Sequence, residues 1–250
     1  VQFPVYLRIF SLQIHPHWVF ESLAYFIGFR IYRRGRTGSG DHLNNSDRLW
    51  IITAAIIGAA LGSKLLYWLE SPITTLQNWH NLFYLMAGKT IVGGLIGGLF
   101  AVEFTKQRLG ITRRTGDLFA IPLALAIAIG RIGCFLSGLG DETYGTPTQL
   151  PWGVDFGDGI ARHPTQLYEV IFLLLLAGWL YWLRSQPHRE GDLFKTFMVA
   201  YMGFRLVVDF IKPGVALLGL TAIQWACAIM LLYYVRDLPY LLRVKEAESR

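Results

Sequence analysis

Long apolar stretches recur along the whole chain, and they leave little room for any architecture but a bundle of membrane-spanning helices. About seven candidate spans can be read, covering residues 17–32, 49–69, 90–106, 118–137, 166–183, 194–212 and 217–236. A helix needs about 20 mostly apolar residues to cross the hydrocarbon core. Charged residues make up only 16% of the chain, against about 25% in soluble domains. With 53% hydrophobic residues and a mean hydropathy of +0.39, the chain is not disordered, collagenous or a disulfide scaffold. The expected fold is an all-α integral membrane protein. No linker divides it, so residues 1–250 are expected to form one transmembrane domain. The longest connection, 138–163, is rich in Gly, Pro and Asp and is expected to be a loop within that domain.

The net charge of +6 would suggest nucleic acid in a soluble protein. Here the basic residues lie mostly between the apolar runs, so topology explains them and no nucleic-acid partner is expected. Sixteen fall on one side: Arg30, Arg33, Arg34, Arg36 and Arg48; Lys106, Arg108, Arg113 and Arg114; Arg184, Arg189 and Lys195; and Arg236, Arg243, Lys245 and Arg250. Only Arg8, Lys89, Arg162 and Lys212 fall on the other. The positive-inside rule then puts the N-terminus outside, the C-terminus in the cytoplasm and the 138–163 loop outside. Cys134 and Cys227 lie inside apolar runs without metal-ligand spacing, and no metal site is expected. The first residues lack a charged region, apolar core and small-residue cleavage site, so no cleaved signal peptide is expected.

Six ionisable residues lie deep in the spans: Glu21, Lys64, Arg131, Glu169, Arg205 and Asp209. With the orientation above, all six fall in the outer half of the membrane. Each unpaired charge at mid-membrane costs about 2.5–3.5 kcal/mol, and six together would exceed a typical protein's whole stability. They form either a structural ion network or the lining of a polar cavity open to the outer leaflet, and the cavity is favoured because intramembrane charge is usually functional. On the sixth span, Tyr201, Arg205, Asp209 and Lys212 fall within an arc of about 80°. Arg205 and Asp209 are spaced to pair. Arg131 has no acid on its own helix and needs one from elsewhere, or an anionic ligand. Guanidinium grips phosphate through parallel hydrogen bonds, so two arginines facing an outer-leaflet cavity point to a phospholipid headgroup.

Gly58 and Gly62 have the spacing of close helix packing. The GGLIGG run at 93–98 is denser than packing alone requires, and it fails as a nucleotide loop because no strand precedes it. The segment His163–Glu169 reads HPTQLYE, with Pro164 suited to the first turn of the fifth span. His163, Gln166, Tyr168 and Glu169 crowd that end.

Together these pieces resemble the prolipoprotein diacylglyceryl transferase family, from about Leu23 to Ala228. HPTQLYE is similar to the family's HPSQLYE. Gly130-Arg131-Ile132-Gly133 matches the start of its GRxGNFxNxExxG motif. Tyr201-Met202-Gly203-Phe204-Arg205 with Asp209 resembles its sixth-helix pattern, and Gly219-Leu220-Thr221 with Gln224 the start of its seventh helix. Lys64 with Tyr67 sits where the family usually has Arg and Tyr. The resemblance implies a multi-pass enzyme of the bacterial plasma (inner) membrane. It would move diacylglycerol from phosphatidylglycerol to the lipobox cysteine in a prolipoprotein signal peptide, leaving a thioether and releasing glycerol phosphate. No cofactor is implied.

Departures are local. Cys134 and Ser137 stand where the family motif has Asn, and three extra residues, Leu139 to Asp141, precede Glu142-Thr143-Tyr144-Gly145. The family's His on the third helix is replaced by Val92, its Glu by Asp209, and a usual Tyr by Glu21. Carried over by position, Arg131 and Arg205 would hold the phosphate, Asp209 would orient Arg205, and Tyr201 would hydrogen-bond the headgroup. Glu142 and His163 would position groups or move a proton. Gly93, Gly94, Lys64, Gly145, Gln166 and Glu169 would contact substrate. The rivals are a non-catalytic or differently specific phospholipid-binding relative, for which the missing His speaks, and a transporter or channel. Neither GxSxG nor HExxH is present, which argues against a protease.

Overall fold

A helix forms at each of the seven apolar runs. The computed structural model describes residues 3–9, 12–37 and 43–242; Arg243, Lys245 and Arg250 of the tail counted above lie outside the described residues. The helices are α1 (Pro16–Thr37), α2 (Asn45–Glu70), the short α3 (Pro72–Gln77) and α4 (Leu82–Met86), α5 (Ile91–Leu109), α6 (Asp117–Ser137), α7 (Thr165–Arg184), α8 (Asp192–Val208), α9 (Ala222–Tyr233) and the short α10 (Leu238–Leu242). Strands β1 (Leu7–Ile9) and β2 (Leu12–Ile14) pair antiparallel, as do β3 (Val154–Asp155) and β4 (Ala161–Arg162).

Among the described residues, three helices are long and apolar enough to cross a membrane: α2, α7, and α6 with the 3₁₀ turn that extends it to Asp141. The others fall short for identifiable reasons. α1 ends in an arginine-rich turn, α5 carries four glycines and a charged last turn, and α8 and α9 are shorter. Ile57, Leu61 and Leu65 of α2, and Ile171, Leu174 and Leu175 of α7, are exposed. Apolar surface on this scale is at home against lipid.

The helix ends are set by local chemistry. Asn44 caps α2 by accepting from the Asp47 amide at 2.7 Å, and Thr90 caps α5 through Gly93. Gly110, at φ +68, closes the end of α5 in the left-handed conformation. Thr221 and Gln224 form a reciprocal capping box on α9.

The described residues gather into two compact units. The first holds α1, α6, α7, α8 as far as Phe204, and the 138–163 connection. Here α6 is the centre. Its Ala120, Ala124 and Ala128 are buried, as are Leu173, Leu176, Ala177 and Leu180 of the neighbouring α7. Gly133 lets α1 approach α6, since a Cβ there would lie 2.7 Å from Phe20 Cβ. Asp117 at the start of α6 accepts from the amides of Gly191 (2.6 Å) and Phe194 (3.0 Å) at the start of α8.

The 138–163 connection is structured. A 3₁₀ turn (Gly138–Asp141) leads to the β3–β4 pair, and buried Phe156 packs against Phe3 and Phe135. Asp155 Oδ1 accepts from the amides of Gly157, Asp158 and Gly159, closing the turn. Arg162 grips Asp158 through both terminal nitrogens at 2.7 Å and holds its carboxyl below the usual carboxylate range.

The second unit holds α2 to α5, residues 205–209, α9 and α10. α2 and α5 cross backbone to backbone: Gly58 faces Gly97, and Gly62 faces Gly93. A Cβ on any of the four would strike a carbonyl of the opposite helix.

Candidate active site

In the first unit, Arg131, Glu169 and Tyr201 come together from α6, α7 and α8. Arg131 Nε lies 2.9 Å from Glu169 Oε2, and the Tyr201 hydroxyl donates to Glu169 Oε1 at 2.6 Å. All three are buried, Tyr201 completely. The acid that Arg131 lacks on its own helix is thus supplied by α7. One carboxylate receives both a guanidinium and a phenol, an arrangement that fixes the guanidinium in an apolar setting.

Gln166 lies one turn before Glu169, on the same face of α7. Its side chain is 1% exposed, and neither its Nε2 nor its Oε1 has a hydrogen-bond partner among the described residues. Leaving one such atom buried and unsatisfied costs about 1–3 kcal/mol. A buried amide with neither atom bonded is uncommon in a folded protein.

His163 stands just before α7, where its Nδ1 is 3.2 Å from the Tyr168 hydroxyl. Trp152 Nε1 donates to the same hydroxyl at 2.8 Å. These bonds join the HPTQLYE segment to the loop and do not run to Arg131 or Glu169. Gly145 lies beneath His163, where a Cβ would come within 2.6 Å of the histidine Cβ and 2.8 Å of the Ile211 carbonyl oxygen. Glu142 is exposed at the end of the 3₁₀ turn with φ +52.

In the second unit, Arg205 Nη2 donates to Asp209 Oδ1 at 2.8 Å, and both side chains are buried. Asp209 opens a 3₁₀ turn that ends α8. Gln224 Nε2 donates to the Leu206 carbonyl, tying α9 to the same stretch. Lys64 is satisfied by the carbonyls of Met86, Ala87 and Gly88 at the end of α4. Gly93 takes part in the α2–α5 crossing, and Gly94 lies in ordinary contact with Ala59. Val92 is fully buried.

One grouping went unnoticed in the sequence: His17 of α1 lies between Asp141 and Glu21, with contacts of 3.1 and 3.3 Å. The i, i+4 spacing of His17 and Glu21 was the available signal.

The sequence model of the family described as prolipoprotein diacylglyceryl transferase matches residues 4–236. Among curated proteins, the phosphatidylglycerol–prolipoprotein diacylglyceryl transferase of Bordetella parapertussis is 35% identical over 247 residues, covering 92% of this chain and 91% of that protein. The protein of that name from Clostridium tetani is 32% identical over 219 residues, covering 84% and 85%. The one from Geobacter sulfurreducens is 31% identical over 236 residues, covering 88% and 85%. With the match running through all the long helices, the chain belongs to the prolipoprotein diacylglyceryl transferase family.

Proposed function

We propose that the protein transfers a diacylglyceryl group from phosphatidylglycerol to the lipobox cysteine thiol in the signal peptide of a prolipoprotein. The observation that carries this reading is the buried Arg131–Glu169–Tyr201 group with the unsatisfied Gln166 amide beside it on α7. That combination offers a lipid headgroup a guanidinium held in place and an amide with bonds still to make. In the reaction, the thiol gives up its proton, its sulfur forms a C–S bond with the glyceryl carbon, and the C–O bond to phosphate breaks. Glycerol phosphate leaves with the bond's electron pair, and the released proton passes to solvent. The thiolate is the attacking form. Arg131, and separately Arg205, would stabilise the charge that grows on the departing phosphate. Tyr201 and Glu169 would keep Arg131 in place, Asp209 would do the same for Arg205, and Gln166 would bond the headgroup. His163 and Glu142 would act on the proton or position the acceptor peptide.

The reading carries a topology of seven spans in one domain of the bacterial inner membrane. The N-terminus and the 138–163 loop lie outside, as the basic-residue bias indicates. A second reading is favoured by Val92, which is fully buried where the family resemblance places a His. It is a phospholipid-binding relative that has lost transfer. A transfer assay separates the two. Purified protein in detergent is given phosphatidylglycerol and a lipobox peptide, and the peptide's mass is followed. A diacylglyceryl thioether that is absent with a Cys→Ser peptide and with Arg131→Ala supports transfer. Lipid binding without product supports the second reading.

A further inference from the structure

We propose that the N-terminal end of α1, the C-terminal end of α6 and the 3₁₀ turn that follows it together form a site for a divalent transition metal of the zinc class, ligated by His17, Cys134 and Asp141. One donor atom from each of the three lies within 4.8 Å of the other two. His17 Nδ1 is 3.1 Å from Asp141 Oδ1. A tetrahedral zinc with bonds of about 2.0–2.3 Å holds its donors roughly 3.5 Å apart, so small side-chain adjustments close the set. Thiolate, imidazole and carboxylate together select a borderline-soft ion over magnesium or calcium.

The surroundings are those of a ligand set held in place. His17 Nε2 faces Glu21 Oε2 at 3.3 Å, which leaves Nδ1 for the metal. The Tyr25 hydroxyl donates to Glu21 Oε1 at 3.0 Å, and Thr143 Oγ1 donates to Asp141 Oδ2 at 2.7 Å. A carboxylate on the far nitrogen of a ligating histidine fixes its tautomer and orientation. Gly133 permits the close approach of α1 to α6 here, since a Cβ there would lie 2.7 Å from Phe20 Cβ. Thiolate and carboxylate together balance a divalent ion. The nearby Arg131, whose Nη1 is 3.9 Å from Cys134 Sγ, already has Glu169 as counter-ion.

The ion would tie α1 to α6 one turn from Arg131. The proposal does not rest on the transferase reading.

The test uses the full chain in detergent, stripped with a chelator. It is titrated with Zn²⁺ against a chromophoric competitor, and separately with Co²⁺. Wild type is expected to bind one equivalent and to show a sulfur-to-cobalt charge-transfer band. Cys134→Asn is expected to lose the band and about a hundredfold in affinity. Glu21→Gln is expected to keep the band and lose about 10–100-fold. Wild-type protein that takes up no metal, or a cobalt spectrum without the sulfur band, overturns the proposal and leaves the three as a hydrogen-bonded group. Both readouts are made on wild type, so they do not depend on how the variants fold.

Discussion

Tyr201 donates to one oxygen of Glu169 while the other oxygen holds Arg131, so a single carboxylate fastens α7 to both α6 and α8. Removing it by Glu169→Gln leaves a buried guanidinium without its counter-charge, expected to cost about 3–5 kcal/mol. Tyr201→Phe removes one charge-assisted hydrogen bond, expected to cost about 1.5–3 kcal/mol. Because both act through one group, the double variant should lose less than the two single losses combined. Thermal unfolding of the four proteins in one detergent measures this. Strict additivity would show that the two contacts are independent.

For the transfer reaction, Arg131→Ala and Arg205→Ala are each expected to lower the rate by about 10²–10³, the scale of losing one preorganised donor to a developing anion. Arg131→Lys should not restore it, since an ammonium lacks the planar fork. Transfer rates, paired with a membrane-insertion control, decide the point. Wild-type turnover by either alanine variant removes that arginine from the mechanism.

Adjacent glycines on α5 should respond oppositely to the same change. A methyl group on Gly97 would strike the Gly58 carbonyl and lie 2.8 Å from Gly62 Cα. On Gly98 the nearest atom is 3.5 Å away, an ordinary contact. Gly97→Ala is expected to destabilise by about 1–3 kcal/mol through overpacking. Gly98→Ala should be neutral or gain up to about 1 kcal/mol from helix propensity. Melting temperatures compare the two directly.

The Asp158–Arg162 pair gives a pH prediction. Arg162 lowers the Asp158 pKa, so the pair's contribution is present above the unfolded value of about 3.9 and fades as pH falls through the folded value. Arg162→Gln should move the Asp158 titration up toward that unfolded value, read by NMR of the carboxyl carbon. At neutral pH the melting temperature should hardly change, because solvent screens an exposed pair. A large loss of stability at pH 7 would contradict this.

Local patterns in the sequence survived into three dimensions; distant partnerships had to be seen. The apolar runs became helices because length and hydropathy decide that within one segment. The Arg205–Asp209 contact follows from the i, i+4 spacing across the end of α8. The partner of Arg131 could not be read this way, because Glu169 arrives from another helix through α6–α7 packing. The same limit hid the glycine pairing: spacing marks a small face, but only the crossing matches Gly58 with Gly97 and Gly62 with Gly93. The meeting of His17, Cys134 and Asp141 escaped notice for that reason too.

The α2–α5 crossing also bears on traffic. Where two backbones touch through four glycines, no acyl tail can slip between them. That seam is a closed wall for a lipid diffusing sideways in the bilayer. At this crossing the two helices leave no gap for a two-tailed lipid.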